Sequence, residues 1–93
     1  MKKTFDIQDF VPVITDQTIK QALVKRFKQR RKELGITQRM LSQRSGVSYG
    51  SIRRFESEGE IALHALLKLS VVIECLEDFN QLFKHAHIKD IRP

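Results

Sequence analysis

Two sets of residues in this chain have types and spacings that imply chemistry. Gly46-Val47-Ser48-Tyr49-Gly50 matches G-x-S-x-G, the turn that exposes a nucleophilic serine, and Asp78 and His85 follow in the Ser, Asp, His order of a hydrolase. The second set is Tyr49, Gly50, Arg53 and Arg54, which at helical spacing share one outward face: two cations and an aromatic hydroxyl, with no acid before Glu56. The two sets compete for the same stretch. A nucleophile elbow needs a buried strand before its serine and a sheet to hold the triad, whereas Met40-Leu41-Ser42-Gln43-Arg44-Ser45 has helical spacing and the chain lacks alternating strand and helix patterns. Hydrolysis is rejected, and the chain is read as a binding protein and not an enzyme. The cationic face suits a polyanion such as DNA, because an arginine can form two parallel hydrogen bonds to guanine.

The element that must position this face runs from Thr37 to Glu56. Leu41, Val47, Ile52 and Phe55 fall where two short helices joined by a tight turn need apolar side chains. Ser42 is small where the helices approach most closely, Gly46 ends the first helix in a left-handed conformation, and Ser48 caps the second. With Thr37-Gln38 at the opening, Leu41 followed by a small residue, Gly46-Val47-Ser48 as the turn, Ile52 in the second helix and Glu56 near its end, the stretch resembles the helix-turn-helix of the Cro/C1-type, or XRE-like, transcriptional regulators of bacteria and phages. The resemblance runs over roughly residues 17 to 83. Ser42 departs from the family's more frequent alanine but keeps the small size.

The resemblance implies an all-α fold: a five-helix lambda-repressor-like DNA-binding domain. Its function would be that of a sequence-specific regulator, a repressor where the operator overlaps a promoter, inserting the second helix of the motif into the major groove as a homodimer on double-stranded DNA. Carried over residue by residue, it sets Gln38 on a phosphate at a helix N-terminus, where free N–H groups and the dipole favour an anion. Ser48, Tyr49, Gly50, Arg53 and Arg54 face base edges or adjacent phosphates, and Arg39 and Arg44 meet phosphate or solvent. Arg26 and Arg30, in the early helix, lie near the phosphate backbone. Arg31, four residues ahead of Gly35, matches an arginine that pairs with the glutamate here at Glu56, a structural ion pair and not a DNA contact. Gly50 costs about 1 kcal/mol relative to alanine inside a helix, which is explained either by close backbone approach to DNA or by drift in a tolerant site. The loop Ser57-Glu58-Gly59-Glu60 departs from the family, which commonly has polar or basic residues there; Glu58 and Glu60 would be repelled by phosphate.

Two other readings keep the fold and change the role. One is a HipB-like antitoxin that binds its own operator and a toxin protein, with the arm and tail as toxin contacts. The other is a protein-interaction domain that has lost DNA binding, a reading drawn from the acidic loop.

Composition narrows the classes further. Net charge is +6 over 93 residues, and residues 20 to 54 carry eleven Lys and Arg against Glu33 alone, while the rest of the chain is net acidic. A charge so one-sided implies a polyanionic partner. The single Cys75 excludes an intramolecular disulfide, and no apolar run has the length of a membrane span or the layout of a signal peptide, so a cytoplasmic protein with no membrane partner is expected. His64, Cys75, His85 and His87 lack metal-ligand spacing, and neither metal nor cofactor is expected.

Three segments follow. Residues 1–16 form an N-terminal arm, extended around Phe10-Val11-Pro12-Val13-Ile14 because Pro12 opposes a helix, and its apolar residues need cover from the domain or from a second copy. Residues 17–84 form the domain. A first helix begins after Thr15 or Asp16 and ends before Gly35, with Ile19, Leu23, Phe27 and Leu34 facing inward and Lys25, Arg26, Lys28 and Lys32 outward. Ala62 to Ile73 forms the fourth helix, and Leu76, Phe79, Leu82 and Phe83 support a short fifth one. In the resembled family this last region often makes the dimer interface, and Phe79, Leu82 and Phe83 are assigned to it. Residues 85–93 are a polar tail with isolated Ile88 and Ile91.

Overall fold

The computed structural model describes residues 14–87. The arm from residues 1 to 13, with its expected extended run, and the end of the tail, with Ile88 and Ile91, lie outside the described residues. The elements are α1 (Asp16–Glu33), α2 (Gln38–Ser45), α3 (Tyr49–Glu58), α4 (Leu63–Val72) and a fifth, 3-10 helix (Leu76–Gln81). Every described element is helical.

Local chemistry sets the bounds of α1. The Thr15 hydroxyl accepts from the Thr18 N–H at 3.1 Å and the Thr18 hydroxyl accepts from the Thr15 N–H at 3.0 Å, a reciprocal cap that satisfies two backbone donors. At the other end Gly35 takes φ +71°, and the Gly35 and Ile36 N–H groups donate to the carbonyls of Lys32 and Arg31 at 2.9 and 3.1 Å. That pair of bonds closes the helix.

The core is built from Phe27, Ile36, Leu41, Val47, Ile52, Phe55, Leu66, Leu69 and Ile73. Phe27 of α1 meets Phe55 of α3 edge to face, with ring centroids 5.1 Å apart, an arrangement worth about 0.5–1.5 kcal/mol beyond area burial. The inward stripe expected along α1 is shorter than its periodicity suggests. Ile19 is 52% and Leu34 38% exposed. Lys20, beside Ile19, already lies over Gly59, the residue that ends α3, so the first turn of α1 stands at the rim of its partner helix. Leu34 follows the last turn.

Helix α4 buries Leu66, Leu69 and Ser70, and the Ser70 hydroxyl is satisfied by donating to the Leu66 carbonyl at 2.8 Å. Its end resembles that of α1 with one difference. The Glu74 and Cys75 N–H groups donate back to Val71 and Ser70, but Glu74, a non-glycine, holds the left-handed position at φ +61°. That conformation costs about 1–2 kcal/mol in a residue with a side chain. Arg30 reaches across from α1, and its Nη1 donates to the Ile73 and Glu74 carbonyls at 3.3 and 3.2 Å, neutralising the carbonyl end of the helix. The 3-10 helix then packs Phe79 against the core and leaves Leu82 56% and Phe83 97% exposed.

Candidate nucleic-acid interface

The tight turn between α2 and α3 is fastened by small polar side chains. Thr37 caps α2 by accepting from the Met40 N–H at 3.0 Å, and Gly46 ends it at φ +81°, with its N–H donating to the Ser42 carbonyl at 2.9 Å. The Ser42 hydroxyl then donates to the Val47 carbonyl at 2.7 Å. An alanine there could not make this bond, so the departure from the family pattern adds a clamp across the turn. Ser48 caps α3, accepting from the Ser51 N–H at 3.1 Å and donating to the Ser51 hydroxyl at 2.8 Å. Its oxygen is thus engaged in a helix cap, with no strand leading into it.

Behind the turn lies a buried polar network. Arg31 Nε and Nη2 donate to the two carboxylate oxygens of Glu56 at 2.7 and 2.8 Å, and Arg31 Nη1 donates to the Ile36 carbonyl at 2.9 Å. Ile36 is the residue whose own N–H closes α1 onto the Arg31 carbonyl, so backbone and side chain of Arg31 hold one residue by its N–H and its carbonyl. Gln38 completes the set, its Nε2 donating to Glu56 Oε1 at 2.9 Å. The amide expected on a phosphate is therefore tied to the carboxylate that ends the motif. Arg31 and Glu56 are buried, at 7% and 6% exposure, and removal of either would strand the other's charge at a cost of about 3–5 kcal/mol.

In front of the turn Arg39 and Arg53 stand free of acids among the described residues. Arg39 of α2 lies with its guanidinium carbon 4.2 Å from the centroid of the Tyr49 ring, and Arg53 of α3 approaches the same ring at 5.7 Å. Both arginines are exposed, and no hydrogen bond or ion pair engages either one among the described residues. Gly50 and Ser51 lie exposed on α3, and a Cβ added at Gly50 would meet nothing within 4 Å. Arg54 differs: its Nε sits 3.4 Å from Glu58 Oε1 one turn along, an exposed pair worth about 0.3–0.5 kcal/mol. Exposed Arg44 stands in the last turn of α2, where a cation complements the helix dipole.

The acidic loop is balanced locally. Glu58 has Arg54, and Glu60 accepts from Lys20 Nζ at 2.8 Å, which holds the Glu60 carboxyl below the usual carboxylate range. Lys20 also drapes its stem over Gly59, at φ +78°. The repulsion expected between this loop and a phosphate chain is thus partly offset by two cations from the same molecule.

Arg26 and Arg30 are not brought to this face. Both border an apolar groove with Leu23, Phe79 and Leu82, and Arg30 is engaged at the end of α4. Nothing in the sequence points to that use, since its acceptors are main-chain carbonyls more than forty residues away. Cys75, at the start of the 3-10 helix, is half-buried; burial pushes its thiol up, away from thiolate reactivity. Among the described residues no His, Cys, Asp and Glu cluster that could hold a metal ion, and no helix is long and apolar enough to cross a membrane.

A second helix clamped to the first by a short turn, with the guanidinium groups of Arg39 and Arg53, unpaired among the described residues, on the open face of the pair, defines a helix-turn-helix DNA-binding domain. The chain belongs to the Cro/C1-type helix-turn-helix family, whose model, described as helix-turn-helix, matches residues 27–79, more than half of its length. That family is one of DNA-binding regulators and not of enzymes. No curated protein and no solved structure matches the chain.

Proposed function

We propose that the protein is a sequence-specific transcriptional regulator, acting as a repressor, that lays α3 in the major groove of double-stranded DNA. The observation that carries this reading is the pair Arg39 and Arg53: two exposed guanidinium groups at the open side of the motif, with no acid bound to either among the described residues. Arg53 is the reader of a base edge and Arg39 the contact to phosphate or to a neighbouring base. Gly50 lets the helix backbone approach closely, and Ser48 presents the cap of α3 to the backbone. Arg54 and Arg44 supplement the field.

The active species is a homodimer. Leu82 and Phe83, exposed at the end of the fold, support this, since apolar side chains gathered on a surface mark contacts. Two copies would engage half-sites about one helical turn apart, near 34 Å, on an inverted repeat. Such a protein works in the cytoplasm.

The test is selection of duplexes from a randomised DNA library by the purified protein at two salt concentrations. The expected outcome is enrichment of an inverted repeat whose affinity falls steeply with salt and which Arg53→Ala no longer enriches. Recovery of unenriched DNA, with binding indifferent to Arg53→Ala, would remove the reading.

A further inference from the structure

We infer that Tyr49 is the positioning residue of the DNA-reading face: its ring holds Arg39 of α2 and Arg53 of α3 as one unit, and sequence discrimination depends on that ring rather than on the tyrosine hydroxyl. This rests on the DNA reading above and adds to it a division of labour among the three side chains.

Tyr49 is the first residue of α3, immediately after the Ser48 cap, and is half-buried while Gly50, Ser51 and Arg53 beside it are exposed. Arg53 lies four residues further along the same helix, the spacing at which side chains meet on one face. Arg39 comes from a different helix, and its guanidinium is the closer of the two, at 4.2 Å against 5.7 Å. The phenol oxygen makes no hydrogen bond among the described residues, so what Tyr49 offers to the rest of the molecule is its ring.

An aromatic ring restrains an arginine differently from a carboxylate. Glu56 fixes Arg31 by accepting from two of its nitrogens while the Ile36 carbonyl takes the third, and burial keeps that arginine from any partner outside the fold. A ring attracts the cation through its π-face and supplies no lone pair, so the five N–H donors of a guanidinium remain available for a base edge or a phosphate. Arg39 and Arg53 are therefore held near a working position before DNA arrives, and binding orders fewer rotatable bonds. Sharing one ring also couples them. Loss of the ring should loosen both arginines at once, and loss of Arg39 should alter the hold on Arg53.

The experiment has two readouts. In the free protein, proton NMR of the Arg39 and Arg53 δ-methylene groups reports the ring current of Tyr49; the shifts are expected to persist in Tyr49→Phe and to vanish for both arginines in Tyr49→Leu. On DNA, the enriched duplex and a scrambled one are titrated with wild type, Tyr49→Phe, Tyr49→Leu, Arg39→Ala and the Tyr49→Leu/Arg39→Ala double variant. Tyr49→Phe is expected to stay within about two-fold of wild type, while Tyr49→Leu loses about ten-fold on the enriched duplex and little on the scrambled one. The salt slope stays the same in Tyr49→Leu because the number of phosphate-neutralising cations is unchanged. The double variant should lose less than the two single variants together, since each removes the same coupling.

Tyr49→Phe as weak as Tyr49→Leu would overturn the inference by showing that the hydroxyl is the contact. Full discrimination in Tyr49→Leu would overturn it as well, and leave the DNA reading standing. If wild type enriches no sequence, the DNA reading fails and takes the inference with it. Arg39→Ala, at an exposed position, retains the fold, so additivity or coupling remains measurable even where Tyr49→Leu lowers stability.

Discussion

Arg31 and Arg53 make an instructive pair. Both lie on helices that meet in the same small core, and Arg31 is buried with three of its nitrogens donating to Glu56 and Ile36, whereas Arg53 is exposed and lies over the ring of Tyr49. The first arginine holds α1 to the end of α3. The second faces outward with its donors unengaged. Identical side chains thus serve opposite ends, and what separates them is the acceptor supplied by the fold. The same division runs through the rest of the basic stretch: Arg30 is engaged by the carbonyl end of α4, Lys20 by Glu60 and Arg54 by Glu58, whereas Arg26 and Arg44 are exposed with no acid bound among the described residues, and Arg39 and Arg53 are set apart by the Tyr49 ring they share. A local excess of positive charge is therefore a poor guide to which cation meets a partner.

The largest effect is expected at the buried pair. Glu56→Ala removes the acceptor of both Arg31 and Gln38, and a loss of about 3–5 kcal/mol in unfolding free energy is expected, read as a shift in the urea midpoint. For a domain whose whole stability is on the order of 5–15 kcal/mol, that is a large fraction. A loss of under 1 kcal/mol would mean that the pair is solvated and contributes no more than a surface ion pair.

A smaller effect sharpens the exposed side. Gly50→Ala adds a methyl group into open space on α3, and stability should rise by about 1 kcal/mol from helix propensity alone. If α3 lies with its backbone close to the bases, the same methyl weakens DNA binding, so stability and affinity move in opposite directions. A stabilised variant with unchanged affinity would instead mark Gly50 as a tolerant position away from the contact.

The smallest effect concerns Lys20 and Glu60. Because Lys20 depresses the Glu60 carboxyl, the pair's contribution is present above the ordinary carboxylate range and disappears as pH falls through the lowered folded value. Glu60 is exposed and Lys20 half-exposed, so the difference in urea midpoint between wild type and Glu60→Gln should be small at neutral pH and close to nothing in strong acid. A difference that grows on acidification would contradict the assignment.

The sequence makes the scaffold readable where the physics is local. Thr15, Thr37 and Ser48 announce helix starts because each cap bonds to a backbone N–H three residues on, and Gly46 announces an end because its left-handed conformation excludes most other residues. Leu41, Ile52 and Phe55 announce the core through spacing alone. The Arg31–Glu56 ion pair joins the two residues that the family resemblance links, which local pattern would not have joined across 25 positions. What stays hidden are choices among several acceptors. In the fold Gln38 meets Glu56 and Arg30 meets main-chain carbonyls at the end of α4, contacts that only the packing of distant helices creates. The exposure of Ile19 and Leu34 is hidden for a related reason: periodicity shows which side of a helix is apolar but not where the partner helix stops.

The most direct test of this account places Arg31→Ala and Arg53→Ala side by side, with urea unfolding and affinity for the enriched duplex measured on the same preparations. Arg53→Ala should keep its unfolding free energy within about 0.5 kcal/mol of wild type while losing about 1–3 kcal/mol of discrimination. Arg31→Ala should lose about 3 kcal/mol or more of stability and, at temperatures where it remains folded, still choose the same sequence. An Arg53→Ala protein that unfolds early, or an Arg31→Ala protein that is stable yet indifferent to sequence, would contradict the division between the arginine that holds the fold and the arginine that reads DNA.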